Sequence, residues 1–312
     1  MRIIDVADRT AWAEERKLGI GGSDAPVILG LTSWSSPWRL WAQKTGRWPD
    51  SDETNEAMEW GKRLESLVLE AYAERTGRQV IPWPQTRLAV RSDYGWMRCT
   101  PDATQMDPAL GEGLVEIKTA NVWTDEAWSG ETMPPVPVVQ LQHNLAVTGR
   151  EYGTIVCLVG GQHLVWRDYR RHDGFITQLI EREQEFWKLV ETLTPPPPDW
   201  TADCRRVLAT MFPPEEVEEP IPLDGEAESL DKQLTQVMAE LRRHNAEISE
   251  LEKQKKEIEN KLIALMRGKS KAVLPSTGVM YQYAMRKQKG YMVADKEYPV
   301  FTRKEPKRAS KE

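Results

Sequence analysis

The sequence predicts an α/β domain of about 195 residues, followed by a linker, one long helix and a small basic segment. Three observations predict this organisation. Apolar periodicity indicates the order helix, helix, strands, helix, hairpin, helix in the first part of the chain. The run Thr194-Pro-Pro-Pro-Pro198 then forms a stiff boundary, and an unbroken heptad pattern follows it. We therefore expect four segments, which are 1–195, 196–225, 226–267 and 268–312.

Composition favours a cytoplasmic globular protein. The 312 residues are 40% hydrophobic and 29% charged. Three widely spaced cysteines imply neither a disulfide framework nor a cysteine metal cluster, so we expect a reducing compartment. The chain has no apolar run long enough to span a bilayer, and its N-terminus lacks the apolar core of a signal peptide. We therefore expect no association with a membrane.

The charge is uneven along the chain. The net charge is −6, yet the last 46 residues contain twelve Lys or Arg against four Asp or Glu. Such asymmetry is typical of a nucleic-acid contact or of a disordered tail. Tyr281 and Tyr283, close to the basic run 286–289, could stack on bases. A solvated basic tail on a β-hairpin is the alternative interpretation.

One motif in the first segment indicates phosphodiester chemistry. Pro101-Asp102 is followed, after thirteen residues, by Glu116-Ile-Lys118. Val115 alternates with Glu116 in the pattern of a half-buried strand, so Glu116 and Lys118 share one face. Two acids and a lysine that converge suit metal-assisted cleavage, because carboxylates hold Mg²⁺ and a lysine can orient water. A strand edge with a surface ion pair is the simpler alternative.

A helix is predicted from Glu56 to Thr76, and Glu65 lies beside its apolar stripe. A carboxylate at that position either is solvated or points into a site. The stripe is formed by Met58, Leu64, Val68 and Tyr72.

A glycine-rich stretch precedes another short helix. In Gly19-Ile-Gly-Gly-Ser23-Asp24, the glycines allow backbone N–H groups to face an anion, and Ser23 or Asp24 would cap the helix. With the nearby Arg16, this makes a candidate phosphate site. A plain turn with an N-cap is the alternative.

A second helix carries two glutamines, Gln140 and Gln142, within residues 138–149. Residues two apart do not share a helix face, so only one of them can point to a given site. Residues alone do not decide which.

The segment 226–267 has apolar residues in steps of four and three, which predicts a helix of about 40 residues with coiled-coil periodicity. It must cover this stripe, either with another subunit or with the first domain. We call the stripe the seam; nine of its eleven positions are apolar, and it consists of Leu230, Leu234, Val237, Leu241, His244, Ile248, Leu251, Lys255, Ile258, Leu262 and Leu265.

Taken together, the motifs resemble those of the YqaJ-type viral recombinases, the relatives of bacteriophage lambda exonuclease. The resemblance covers residues 1 to about 195 and implies the restriction-endonuclease-like PD-(D/E)xK core, a mixed β-sheet flanked by helices. Four signatures match in order, namely Gly19-Ile-Gly-Gly-Ser-Asp24, Trp60-Gly-Lys-Arg-Leu-Glu65, Cys99-Thr-Pro-Asp102 with Glu116-Ile-Lys118, and Gln140-Leu-Gln142-His-Asn-Leu-Ala-Val-Thr-Gly149.

The resemblance implies a role for each motif residue. Asp102, Glu116 and the Ile117 carbonyl would bind the catalytic metal, with Glu65 assisting from its helix. The metal would be Mg²⁺, or Mn²⁺, as two ions. Lys118 would act on the attacking water.

The resemblance also implies a phosphate pocket and a helper glutamine. Gln140 or Gln142, with a slight preference for Gln142, would place the water or the sugar-phosphate. For the basic residue of the phosphate pocket, Lys17 would also fit in place of Arg16 if the match is shifted by one residue. The residues that fall where the lambda enzyme holds a 5′-phosphate are Arg16, Ser23 and Thr100.

The function implied is a 5′→3′ exonuclease that digests one strand at double-stranded DNA ends. The remaining strand would serve a single-strand annealing or recombinase protein, in a bacterial host and of phage or prophage origin. A trimeric ring is implied by the same resemblance. The alternatives are an endonuclease of this fold, such as a resolvase or restriction enzyme, and a non-catalytic scaffold that grips DNA ends.

Overall fold

A computed structural model describes residues 1–48, 56–215 and 220–283. The chain divides into two compact units, Met1–Pro213 and Pro214–Glu312. In the part of the chain that is described, no helix is long and apolar enough to cross a bilayer.

In the first unit, four helices follow the first strand, five strands follow these helices, and two helices, a β-hairpin and two further helices complete the unit. Its helices are α1 (Arg9–Lys17), α2 (Ala25–Ile28), α3 (Pro37–Lys44), α4 (Glu56–Thr76), α5 (Asp125–Ser129), α6 (Pro135–Thr148), α7 (Asp173–Glu191) and α8 (Ala202–Met211). Its strands are β1 (Arg2–Asp5), β2 (Gln79–Pro82), β3 (Arg87–Val90), β4 (Arg98–Cys99), β5 (Ala103–Asp107), β6 (Gly111–Ala120), β7 (Tyr152–Val159) and β8 (His163–Arg170).

The main sheet is mixed, as predicted. Its strand order is β2-β5-β6-β7-β8. Strands β6 and β7 run parallel, joined by a crossover through α6, and the other neighbours are antiparallel. A smaller antiparallel sheet has the order β1-β3-β4. The prediction of an α/β fold with a mixed sheet flanked by helices is confirmed.

Strand β6 is the centre of the main sheet and is covered on both faces. Val115 packs with Val68 of α4, and Leu114 packs with Leu141 of α6. The sequence predicts a half-buried strand, but Glu116 is only 1% exposed. The difference arises because a central strand between two helical layers is enclosed on its polar face as well.

Helix α4 has the predicted bounds and ends before Gly77, whose φ of +69° suits glycine. Val68 and Tyr72 are buried, but Met58 is exposed. The buried stripe therefore begins at Leu64, which packs against the cluster that α4 forms with the sheet, and not at Met58.

The first unit extends beyond the boundary predicted at residue 195. Helix α8 lies in the stretch interpreted as a linker, and it packs in the first unit instead. Asp203 accepts hydrogen bonds from the Ser36 backbone N–H and hydroxyl, both at 2.9 Å, and forms an ion pair with Arg39 at 2.7 Å. Cys204 and Val207 join the tryptophan-rich cluster around α3. The compact unit therefore ends at Pro213.

The second unit contains helix α9 (Gly225–Met266) and a hairpin of β9 (Lys271–Val273) and β10 (Met280–Gln282). Asp224 caps α9 by accepting hydrogen bonds from the N–H groups of Glu226 and Ala227. The rest of the basic segment, including 286–289, 303–304 and 307–308, lies outside the described residues.

Candidate active site

A cleft of about 210 Å³ in the first unit gathers six of the predicted site residues. It lies where the glycine-rich loop, α4 and α6 meet the start of β5. The predicted residues that line it are Arg16, Ser23, Glu65, Thr100, Asp102 and Gln140.

The two acids of the central motif are held close together by backbone and side-chain contacts. Asp102 Oδ2 accepts a hydrogen bond from the Ile117 backbone N–H at 2.6 Å, which ties the start of β5 to the middle of β6. Glu116 forms an ion pair with Lys118 through Oε1, as expected for side chains two apart on a strand. Its Oε2 accepts a hydrogen bond at 3.3 Å from Asn144 Nδ2, and Asn144 lines the cleft.

The three carboxylates repel one another in a region of low solvation. Burial raises the pKa of Glu116 to about 7, and the charges of Asp102 and Glu65 add to this against the opposing effect of Lys118. Burial likewise raises the pKa of Asp102, and burial together with Asp102 raises the pKa of Glu65. The cluster therefore favours an additional positive charge.

Lys118 supplies positive charge to this cluster. Burial alone would lower the pKa of Lys118, but Glu116 and Asp102 outweigh it and raise the pKa. The amine is thus an ammonium that pairs with Glu116 and is further stabilised by the charge of Asp102.

The donor set suits a hard divalent cation, because Glu65, Asp102 and Glu116 offer carboxylate oxygens whose mutual repulsion such an ion would relieve. Within the described ranges, no three His, Cys, Asp or Glu side chains converge closely enough to hold a metal as they stand. The Lys118 ammonium occupies Glu116 Oε1 in this arrangement, so the fit is one of chemistry and not of finished geometry.

The glycine-rich loop is positioned by charge and by close approach. Arg16 Nη2 donates to Ser23 Oγ at 2.6 Å and to Asp24 Oδ1 at 3.1 Å. Asp24 also pairs with Lys44 at 2.7 Å. A Cβ on Gly22 would lie 2.3 Å from Asn144 Oδ1, so only glycine allows this contact with α6.

Capping of α2 differs from the prediction. Asp24 is the N-cap residue, but its side chain makes no capping hydrogen bond, and Ser23 contacts Arg16. The helix has only four residues, so its end contributes little to anion binding. Side chains such as Arg16 carry the positive charge of this pocket.

The contacts also place Thr100 and show which of Arg16 and Lys17 lines the cleft. Thr100 Oγ1 accepts a hydrogen bond from Trp12 Nε1 at 3.1 Å and lines the cleft beside Arg16. Lys17 instead pairs with Glu14 at 2.8 Å and does not belong to the lining.

Gln140, and not the slightly preferred Gln142, lines the cleft. Gln142 is buried, donates from Nε2 to the Arg170 carbonyl at 2.8 Å and accepts from the His172 N–H at 2.9 Å. Its side chain therefore joins β8 to α7. Gln140 lies on the cleft side of the same helix.

Sequence reasoning missed two lining residues that helix spacing could have found. Asn144 is four residues after Gln140, so both lie on one face of α6. Lys62 is three residues before Glu65 on α4, and its charge lowers the pKa of that acid in opposition to burial. Arg98 also lines the cleft and contacts Glu15 of α1.

The mixed sheet, with an acid and a lysine on its central strand, defines the chain as a protein of the restriction-endonuclease-like fold class. The model of the family described as "YqaJ-like viral recombinase domain" matches residues 11–151 of this chain. The chain is 32% identical over 258 residues to the uncharacterized protein YqaJ of Bacillus subtilis (strain 168), covering 81% of this chain and 77% of that relative. This chain belongs to the YqaJ family.

Solved structures share the fold. An alkaline exonuclease, LHK-Exo from Laribacter hongkongensis, is similar with a TM-score of 0.50 and 23% identity, over 59% of this chain and 93% of that one. A structure of LHK-Exo in complex with dAMP gives a TM-score of 0.49 and 24% identity, with the same coverage. At these identities the likeness concerns the fold.

Proposed function

We propose that this protein is a metal-dependent 5′→3′ exonuclease that digests one strand from double-stranded DNA ends. One observation carries the proposal: Asp102, Glu116 and Lys118 lie together beside a cleft that also contains Arg16 and Ser23. Hydrolysis chemistry and phosphate recognition are thus adjacent. Membership of the YqaJ family and the exonuclease fold support the same function.

We assign each residue a task in the proposed reaction. Glu65, Asp102, Glu116 and the Ile117 carbonyl would hold two Mg²⁺ or Mn²⁺ ions, which when bound supply Lewis acidity at the phosphate oxygens. Lys118 orients the attacking water and offsets charge that develops on the scissile phosphate. Gln140 positions the sugar-phosphate from α6, and Asn144 keeps the Glu116 carboxylate in its orientation.

The charge at one side of the cleft supports the proposed polarity. Arg16, Ser23 and Thr100 offer a guanidinium and two hydroxyls to a terminal 5′-phosphate. A strand that enters with its 5′ end in this pocket places the next phosphodiester toward the acids. Cutting there releases a nucleotide and leaves a 3′-terminated single strand.

The product defines the biological setting that we propose. Single strands with free 3′ ends are substrates for a single-strand annealing or recombinase protein, which fits a phage-derived recombination system acting in the bacterial cytoplasm. A ring of three subunits around the duplex would keep the enzyme on its substrate. The heptad pattern of α9 supports a coiled coil, which would join subunits or recruit the annealing partner.

The test compares linear duplex DNA with a closed circle of the same sequence, with Mg²⁺ or with EDTA. We expect metal-dependent loss of the linear DNA and an intact circle. Cutting of the circle would identify an endonuclease. DNA binding without cutting, under Mg²⁺ and under Mn²⁺, would identify a scaffold.

A further inference from the structure

Helix α9 presents an apolar stripe to solvent. Leu241 is 55% exposed, Ile248 53% and Leu251 63%. Towards the end of the helix Leu262 is half-buried and Met266 is buried. A stripe of this length is typical of a helix whose apolar face packs against a partner surface, and its heptad spacing is that of a coiled coil.

The two polar residues of the seam are placed symmetrically. His244 and Lys255 lie at equal distances on either side of the point between Ser249 and Glu250. In an antiparallel pair centred on that point, His244 of one helix therefore faces Lys255 of the other. All the remaining layers between Leu234 and Leu265 are then apolar on both sides.

We propose that a second copy of this chain packs antiparallel on the seam of α9, centred between Ser249 and Glu250. Leu241 then faces the partner's Ile258, and Ile248 faces the partner's Leu251. Towards the helix ends, Leu234 faces the partner's Leu265 and Val237 the partner's Leu262. The interface is isologous, so each of these layers occurs twice.

Charges beside the seam favour this orientation. In the antiparallel register, Glu240 lies next to the partner's Lys261, which is an attractive pair on each side of the centre. Lys261 pairs with Glu257 of its own helix at 2.6 Å, but the two side chains are 70% and 67% exposed. Exchanging this ion pair for one with the partner's Glu240 therefore costs little.

A parallel, in-register pair brings like charges together. Lys255 would face the partner's Lys255 inside the seam, whereas the antiparallel pair separates the two lysines. At the flanks, Glu247 would lie against the partner's Glu252. Opposed like charges destabilise a coiled coil and select against that orientation.

Cysteine crosslinking of the full-length chain tests the register. The native cysteines Cys99, Cys157 and Cys204 are buried, so engineered thiols on α9 are the reactive ones. Two variants, Leu241→Cys and Ile258→Cys, are co-expressed with different tags and oxidised. We expect a crosslinked product of two chains only from the co-expressed pair, and none from either variant alone.

The other outcomes overturn the proposal. A crosslink formed by Leu241→Cys alone would show a parallel pair. No crosslink in any combination would show that a second copy does not cover the seam. The matched control pairs Leu241→Cys with Leu251→Cys, two positions that do not face each other in the proposed register and should stay unlinked.

A charge exchange provides a second readout. Glu240→Lys should lower the crosslink yield at limiting protein concentration by about fivefold, since it opposes two lysines on each side of the centre. Adding Lys261→Glu should restore the yield. Equal yields in all three proteins would contradict the antiparallel register.

Discussion

The Lys118 ammonium forms an ion pair with the Glu116 carboxylate, two residues earlier on strand β6. This pair lies next to Asp102, whose carboxylate is held by the Ile117 backbone N–H. Strand β6 thus places a cation and an acid next to a second acid, Asp102, which directly precedes β5. The first prediction follows from that arrangement.

Replacing Lys118 by Ala should lower the rate of DNA digestion at least a hundredfold, because the water and the developing phosphate charge lose their cation. DNA affinity measured in EDTA should change little. Lys17→Ala is the matched control, since Lys17 pairs with Glu14 away from the cleft. Normal turnover by Lys118→Ala would place the chemistry elsewhere.

Replacing Gly22 by Ala should disturb the site through the loop. The added Cβ would lie 2.3 Å from Asn144 Oδ1, so either the loop or the Asn144 side chain that holds Glu116 must move. We expect at least a tenfold loss of digestion rate. Gly21→Ala is the control, because its Cβ would meet nothing closer than 3.6 Å. Equal activity of the two variants would show that the loop tolerates displacement.

The first unit should need helix α8 for stability. A chain that ends after residue 213 should unfold in one cooperative transition. A chain that ends after residue 198 loses both the Asp203 carboxylate that pairs with Arg39 and the packing of Cys204 and Val207, which should lower the unfolding free energy by at least about 3 kcal/mol. Asp203→Asn in the longer chain should show a loss in the same direction. Equal denaturant midpoints would refute this.

Stability should decline as the pH rises, through the buried pair of His143 and Glu183. His143 Nδ1 lies 2.7 Å from Glu183 Oε1, and Nε2 lies 2.9 Å from the Arg98 carbonyl, so the doubly protonated ring suits both acceptors. Burial would lower the pKa of His143, but Glu183 outweighs it and raises the pKa above the usual 6.5.

Because the folded-state pKa is raised, this stabilisation is complete below about pH 6.5 and is lost as the pH rises through the folded-state pKa. Thermal unfolding between pH 6 and 9 measures it. Glu183→Gln should flatten the decline of Tm, whereas Glu185→Gln, an exposed change on the same helix, should preserve it. A decline of equal slope in all three proteins would contradict this assignment.

Local patterns predicted the elements that carry the acids. The alternation at Val115 and Glu116 predicted their opposite faces, and helix spacing related Glu65 to its stripe. The burial of Glu116 was not predictable from the local pattern. It arises because α6, which comes later in the chain, covers the face of β6 that carries Glu116.

Long-range contacts explain the remaining misses. Gln140 and Gln142 point in different directions, and only the partners of Gln142 at the end of β8 decide which one faces the cleft. Helix α8 resembled a linker because its polar anchor, Asp203, finds Ser36 and Arg39 more than 160 residues earlier. Neither relation leaves a periodic signal in the sequence.

The central claim is tested most directly by digesting duplexes that carry a label on the base of either the 5′- or the 3′-terminal nucleotide. Each duplex is prepared with a 5′-phosphate and with a 5′-hydroxyl. With Mg²⁺, the wild-type protein should release label first from the 5′ end, and faster from the phosphorylated end. Arg16→Ala should remove that difference, while Lys17→Ala should keep it. Release from 3′ ends, or equal rates on both kinds of 5′ end, would contradict the proposed polarity and pocket.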